Sequence, residues 1–295
     1  MGNVYAGYRG LADIAGVGQV RFADASITAR QTVNAPDLIM GDWDHDAYVF
    51  DKIEVGGTIS GPVTETFVSG SGGGTGIWNW GVKRSSPCGL LTAANTTLYY
   101  YCGGSDYRAR QFLNMYVNTL GFSCAAGDIA QFNIDIMGSG LGPNNGWLNS
   151  DPPHFTTAEK LITWDRVTLS ITPGPNPEFT PPVNIAYSNF DFSIANNLQA
   201  VYSLGQANLF PFEIVPGLRT ITGSISVYNT PRADGKDRWI DYLAADVSTI
   251  NFNIGGLTLS MKVRFHRIEP ASSVSPIIST IGIVGVTHQT GAAWE

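Results

Sequence analysis

Leu257-Thr-Leu-Ser-Met-Lys-Val-Arg-Phe265 alternates without interruption: Leu257, Leu259, Met261, Val263 and Phe265 face one way, and Thr258, Ser260, Lys262 and Arg264 face the other. A period of two marks a strand with one dry face and one wet face. Phe132, Ile134 and Ile136 alternate with Asn133 and Asp135 in the same manner. Ile221, Gly223, Ile225 and Val227 alternate with Thr222, Ser224 and Ser226. With 34 Gly and 16 Pro breaking up 295 residues, few segments could hold a helix of more than three turns. The expected fold is therefore all-β, mainly strands with short helices. The best helical stripe, Trp239, Ile240, Leu243 and Ala244 within residues 234–247, predicts one short amphipathic helix against a sandwich.

The length fits two domains or one large β domain. Charged residues are only 14% of the chain, against about 25% in an average soluble domain. Gly, Ser, Thr and Asn take their place, which points to an exterior covered by neighbouring copies. The net charge of −7 and the absence of any Lys/Arg run disfavour a surface built to grip nucleic acid. No apolar stretch is long enough for a membrane-spanning helix, and the N-terminus lacks the basic start and apolar run of a secretory signal. Assembly in the cytoplasm where the chain is made is the expectation.

Five prolines in the fourteen residues 171–184 mark a semi-rigid connector. It divides the chain into a first β domain at 1–172, a linker at 173–184 and a second β domain at 185–295. The two parts echo each other. Asp24-Ala-Ser-Ile27 precedes Val55-Gly-Gly-Thr-Ile-Ser60, as Asp191-Phe-Ser-Ile194 precedes Ile221-Thr-Gly-Ser-Ile-Ser226, at nearly the same separation. A kept order and spacing points to a tandem pair of similar domains, the first carrying an inserted region at about 61–110.

Candidate chemistry is sparse. Asp42-Trp43-Asp44-His45-Asp46 crowds carboxylates around an imidazole and could serve a cation or a glycosidase, yet it lacks the further ligand spacing of a calcium loop and reads as a solvated acidic loop. His154, His266 and His288 stand in no metal-binding pattern. Cys88, Cys102 and Cys124 form neither a disulfide framework nor a zinc pattern and read as reduced thiols. The glycine run at 69–76 lacks the Lys-Ser/Thr ending of a phosphate cradle, and no nucleophile elbow occurs. No catalytic residue, metal site or cofactor is expected. Trp43, Trp78 and Trp80 could stack sugars, although core or interface packing is the simpler role.

Three segments carry a resemblance: Gly217–Tyr228 after the extended Pro211–Pro216, Gly121–Gly138 with its Gly-Asp turn, and Val183–Ile214. Their strand pattern and turn placement resemble the tail tube proteins of long-tailed bacteriophages, over most of residues 18–60, 110–138 and 160–285. The resemblance implies β-sandwiches flanked by a short helix, whose inner sheets join into a ring with a β-lined pore. It further implies rings stacked head to tail around a tape measure protein, capped by tail terminator and tail-tip proteins, and later conducting double-stranded DNA. Rings of six domains would need three duplicated chains, a homotrimer. The expected location is the virion tail, assembled in the host cytoplasm. Asp24, Glu54, Asp135 and Asp191 are the candidate lumen-lining residues, on the polar face of pore strands. Other readings are a contractile tail's inner tube, a tail-tip or baseplate ring protein, a carbohydrate-binding sandwich and a glycosidase.

Overall fold

The computed structural model describes residues 10–34, 49–69, 75–82, 91–103, 106–148, 160–172, 187–204, 209–228, 247–270 and 278–285. Outside these lie the Asp42–Asp46 loop, most of the glycine run, Cys88, His154, His288, the proline linker and all but the last residue of the expected helix at 234–247.

The fold is all-β. The first part runs β1 (Gly10–Ile14), β2 (Gly18–Phe22), β3 (Asp24–Ala25), β4 (Thr28–Asn34), β5 (Val49–Pro62), α1 (Glu65–Ser69), α2 (Thr75–Gly81), β6 (Ala94–Gly103), β7 (Asp106–Ala125) and β8 (Gln131–Gly138), then the short β9 (Gly140–Leu141) and β10 (Trp147–Leu148). The second part runs β11 (Val167–Thr172), β12 (Tyr187–Ala195), β13 (Gln199–Val201), β14 (Glu213–Val215), β15 (Thr220–Tyr228), β16 (Ser248–Ile254), β17 (Leu257–Pro270) and β18 (Ile278–Gly285).

All pairing among the described residues is antiparallel, and the two parts follow one path. In the first, the order is β1-β6-β7-β8-β5-β4; in the second it is β11-β16-β17-β18-β15-β12. A long strand bends at the centre of each. β7 pairs β6 with its first half and β8 with its second; β17 pairs β16 and then β18. Each long strand carries a bulge next to equivalent pairs: Asn118 follows Val117↔Ile136, and His266 follows Phe265↔Ile283. A bulge adds one residue and sharpens the local twist, which lets one strand serve two directions. Segment 61–110, expected as an inserted region, supplies α1, α2, β6 and the start of β7, and the last two hold the same places in the order as β16 and the start of β17.

The two parts are joined by backbone. β12 pairs β7 from Asn189↔Ala125 to Ala195↔Thr119, so among the described residues one sheet runs through both parts, with β13 and β14 pairing apart from it. Its dry face is packed with aromatics across that seam. Phe192 lies 5.5 Å from Phe122 of β7 and 4.8 Å from Phe252 of β16, ring centre to ring centre, and Phe67 of α1 stacks on Phe132 at 4.7 Å. Trp80 of α2 is buried, and its Nε1–H donates to Met115 O at 3.0 Å.

Two close approaches explain the glycine strands. A Cβ on Gly57 would lie 2.5 Å from Ser26 O, and one on Gly223 would lie 2.4 Å from Asp191 O. Both glycines oppose equivalent partners, Ile136 and Ile283. The Asp-x-Ser-Ile match is in a different register. Asp24 pairs Ser60 while Asp191 pairs Ser224, so with Gly57 set against Gly223 the residue equivalent to Asp24 is Asn189, and Asp191 corresponds to Ser26. The motif is offset by two residues because a slip of two leaves every side chain on its own face.

Phe192→Ala should cost about 3–5 kcal/mol by removing a buried ring from both parts of the core, and Gly223→Ala about 1–3 kcal/mol by forcing backbone apart. Denaturant titration should show one transition moving to lower midpoint. Two separate transitions, only one of them shifted, would contradict a core shared across the seam.

Candidate functional site

The wet face of this sheet is a ladder of small polar side chains. Directly opposed residues share a face, so the pairings read as rungs. One runs Asp24, Ser60, Asn133, Gly121, Ser193, Thr222, Val284, Arg264 across eight strands. The next runs Gln131, Ser123, Asp191, Ser224, Gly282, and on the other side Thr58, Asp135, Thr119, Ala195, Thr220. Glu54, opposite Arg30, continues the face along β5. All four acidic residues singled out from the sequence therefore lie on one face of one sheet. Asp24, Glu54 and Asp191 are exposed, and Asp135 is half-buried.

Hydroxyls and amides tie the rungs together. Ser26 Oγ and Thr58 Oγ1 are 2.9 Å apart, and Ser193 Oγ and Thr222 Oγ1 are 3.2 Å apart. Ser224 donates to Asp191 Oδ1, and Asn118 Nδ2 donates to Asp135 Oδ2 at 2.6 Å. Lys52 forms an ion pair with Glu54 and sits 5.5 Å over the Tyr202 ring. Sequence reasoning missed the cations on this face: Arg30 and Arg264 share it with the acids. Arg264 was already in the alternation of 257–265; what could not be read there was which sheet that strand joins.

Where the two parts meet, a polar knot replaces the open face. Asn196 is fully buried; its N–H donates to Asn118 O at 2.7 Å, and its Nδ2 donates to Gly81 O at 2.7 Å and Val117 O at 2.9 Å. Its Oδ1 accepts from Arg219 Nε at 2.9 Å, and Arg219 also donates to Val82 O at 2.6 Å. Asn118 Oδ1 accepts the Leu198 N–H at 2.9 Å. Every polar atom of the Asn196 side chain is satisfied, as burial requires.

The remaining candidates separate from this face. A groove at the other end is lined by Cys124, Trp164, Asp165, Tyr187 and Phe190. Burial, and then the Asp128 charge, pushes the Cys124 thiol up from its usual value, and burial pushes the Tyr187 phenol up to about 12. Cys124 is a free thiol with its Sγ near Ala125 O, a setting that disfavours a nucleophile. Trp80 is inside the core and offers no sugar platform. His266 is the exposed bulge residue of β17, its ring against Gly282. Among the described residues, no three metal-ligating side chains gather.

A long antiparallel sheet with one continuous polar face places the chain among large all-β proteins. The phage tail tube protein family matches residues 6–282, and the chain belongs to that family. Comparison with curated proteins gave no match. The protein is accordingly a structural component of the phage virion, in its tail tube.

The raised Cys124 pKa means its thiolate is scarce at neutral pH and grows only as pH climbs past the ordinary thiol value of 9.0. Alkylation of the folded chain, mapped by mass spectrometry, should leave Cys124 largely unmodified at pH 7.5, with labelling rising at pH 9.5 and on unfolding. Rapid labelling of Cys124 at pH 7.5 in the folded state would contradict this.

Proposed function

We propose that this chain is two tandem copies of one tube domain, that three chains close into a ring of pseudo-sixfold symmetry, and that such rings stack head to tail into the conduit for genome delivery. The observation that carries the reading is the repeated strand path with matching bulges at Asn118 and His266, joined by a sheet that does not break at the boundary. A contact between unlike surfaces that repeats around a closing rotation makes a ring, and one that repeats along an axis makes a filament. In this reading the tape measure protein fills the tube during assembly in the host cytoplasm, and the terminator and tip proteins cap its ends. Double-stranded DNA passes through without sequence-specific binding.

The polar ladder is the lumen wall. DNA carries one phosphate charge per about 1.7 Å of axis, so a wall rich in unpaired cations would hold it. Asp24, Glu54, Asp135 and Asp191 share the face with Arg30, Lys52, Lys262 and Arg264, and hydroxyls fill most of what lies between. Such a surface offers DNA a wet track with ions of both signs and no run of cations to hold it.

Negative-stain microscopy of the purified chain should show rings or hollow tubes, with three protomers per ring by mass; a compact monomer at high concentration would remove the reading. Replacing Asp24 and Asp191 with Lys should leave tubes intact and reduce genome delivery by at least tenfold in a plaque assay. Unchanged plating with intact tubes would take these residues off the lumen.

A further inference from the structure

The seam inside the chain contains the design of a second seam. β7 belongs to the first part as β17 belongs to the second, and β12 is the counterpart of β3 and β4. The internal seam therefore joins the outer edge of a β7-type strand to the outer edge of a β4-type strand. The same two kinds of edge recur at the ends of the chain. Among the described residues, Arg267–Pro270 of β17 pairs only β18, and Asp24–Asn34 pairs only β5.

The backbone donors point the right way. Asn196 N–H donates to Asn118 O, and Ala126 N–H donates to Ser188 O, both at 2.7 Å, so even-numbered residues of β12 face β7. Ser26, the counterpart of Asp191, donates inward to Thr58 O at 2.9 Å. Alternation along the strand then turns the N–H groups of Ala25, Ile27 and Ala29 outward, as in their counterparts Phe190, Phe192 and Ile194. An outward row of donors and acceptors is a template for another strand.

We infer that neighbouring copies join by pairing residues 267–270 of β17 with residues 27–30 of the next copy, in the register of the internal seam. Carrying Thr119↔Ala195, Leu120↔Ile194, Gly121↔Ser193 and Phe122↔Phe192 across gives Arg267 opposite Arg30, Ile268 opposite Ala29, Glu269 opposite Thr28 and Pro270 opposite Ile27. The partner is a second copy of this chain because the edges that meet are the edges already seen to fit each other. The bulge at His266 takes the place of Asn118, so its carbonyl receives the Gln31 N–H of the neighbour. Pro270, lacking an N–H, ends the ladder sooner than inside the chain, leaving a seam that forms reversibly between copies.

This rests on the ring reading, and its test separates the two. A Cβ placed on Gly121 would lie 3.9 Å from Ser193 Cβ, within the span of a disulfide. The double variant Gly121→Cys with Ser193→Cys should thus crosslink within one chain, certifying the internal seam. In assembled wild-type background, Thr28→Cys with Glu269→Cys should give a reducible ladder on a denaturing gel, ending at a closed trimer and absent in diluted monomer. Ser26→Cys with Glu269→Cys is the control, the pairing that the Asp-x-Ser-Ile match would dictate. A ladder from the control pair alone overturns the register. Tubes that form with neither crosslink overturn the seam and leave the tube reading standing. Failure of the wild-type chain to make rings or tubes, with no crosslink at any concentration, overturns both. Ala29→Pro, which removes one outward N–H and leaves the inward bonds alone, should lower ring yield at least tenfold with an unchanged monomer melting curve; full assembly by this variant would also count against the seam.

Discussion

The pairing of β7 with β12 is the interaction on which the rest depends. Without it the chain would be two sandwiches on a string, each with an open edge and its own small core. With it, main-chain hydrogen bonds run unbroken from one part to the other, the phenylalanine cluster spans the boundary, and the polar side chains of both parts lie on one surface. Buried Asn196 and half-buried Arg219 then close the end of the seam with bonds to the end of α2 and to β7. A satisfied polar network of this kind favours one arrangement over its neighbours, since a slipped register would leave several of those groups buried and unpaired.

A low charge content is a hazard for an isolated protein and a fitting property for a wall. The sheet hides its apolar face in its own core and shows water hydroxyls, amides and a few ions of both signs. Ser, Thr and Asn hydrate well without holding a counterion atmosphere. That chemistry lets a polyanion move along the surface, whereas the same area dressed in Lys and Arg would bind it tightly. The scarcity of charge and the function proposed for the chain thus follow from one choice of residues for the outward positions of the strands.

Much of the fold could be read directly. The alternations at 257–265, 132–136 and 221–227 are strands β17, β8 and β15, and the shared face of Asp24, Glu54, Asp135 and Asp191 follows from counting by twos. The resemblance between the parts is visible in Gly57 and Gly223, where a Cβ would run into the backbone of the paired strand. Less legible were the bend of β7, where Asn114 takes a left-handed φ of 49°, and the place of 94–125 in the sheet, since tyrosine-rich β6 shows no clean alternation. Trp80 could not be assigned to the core from its type, because exposed and buried tryptophans look alike in a chain.

What the sequence by itself determined is which side of each cleanly alternating strand is wet. Facing is a local property with a period of two, and neighbouring residues suffice to set it. Only the tertiary structure decided which rung each residue occupies, how far the Asp-x-Ser-Ile segments are offset, and that Arg30 and Arg264 share the polar face with the carboxylates. Those facts depend on strands far apart in the chain choosing partners, and a slip of two residues changes every partner while leaving every face as it was.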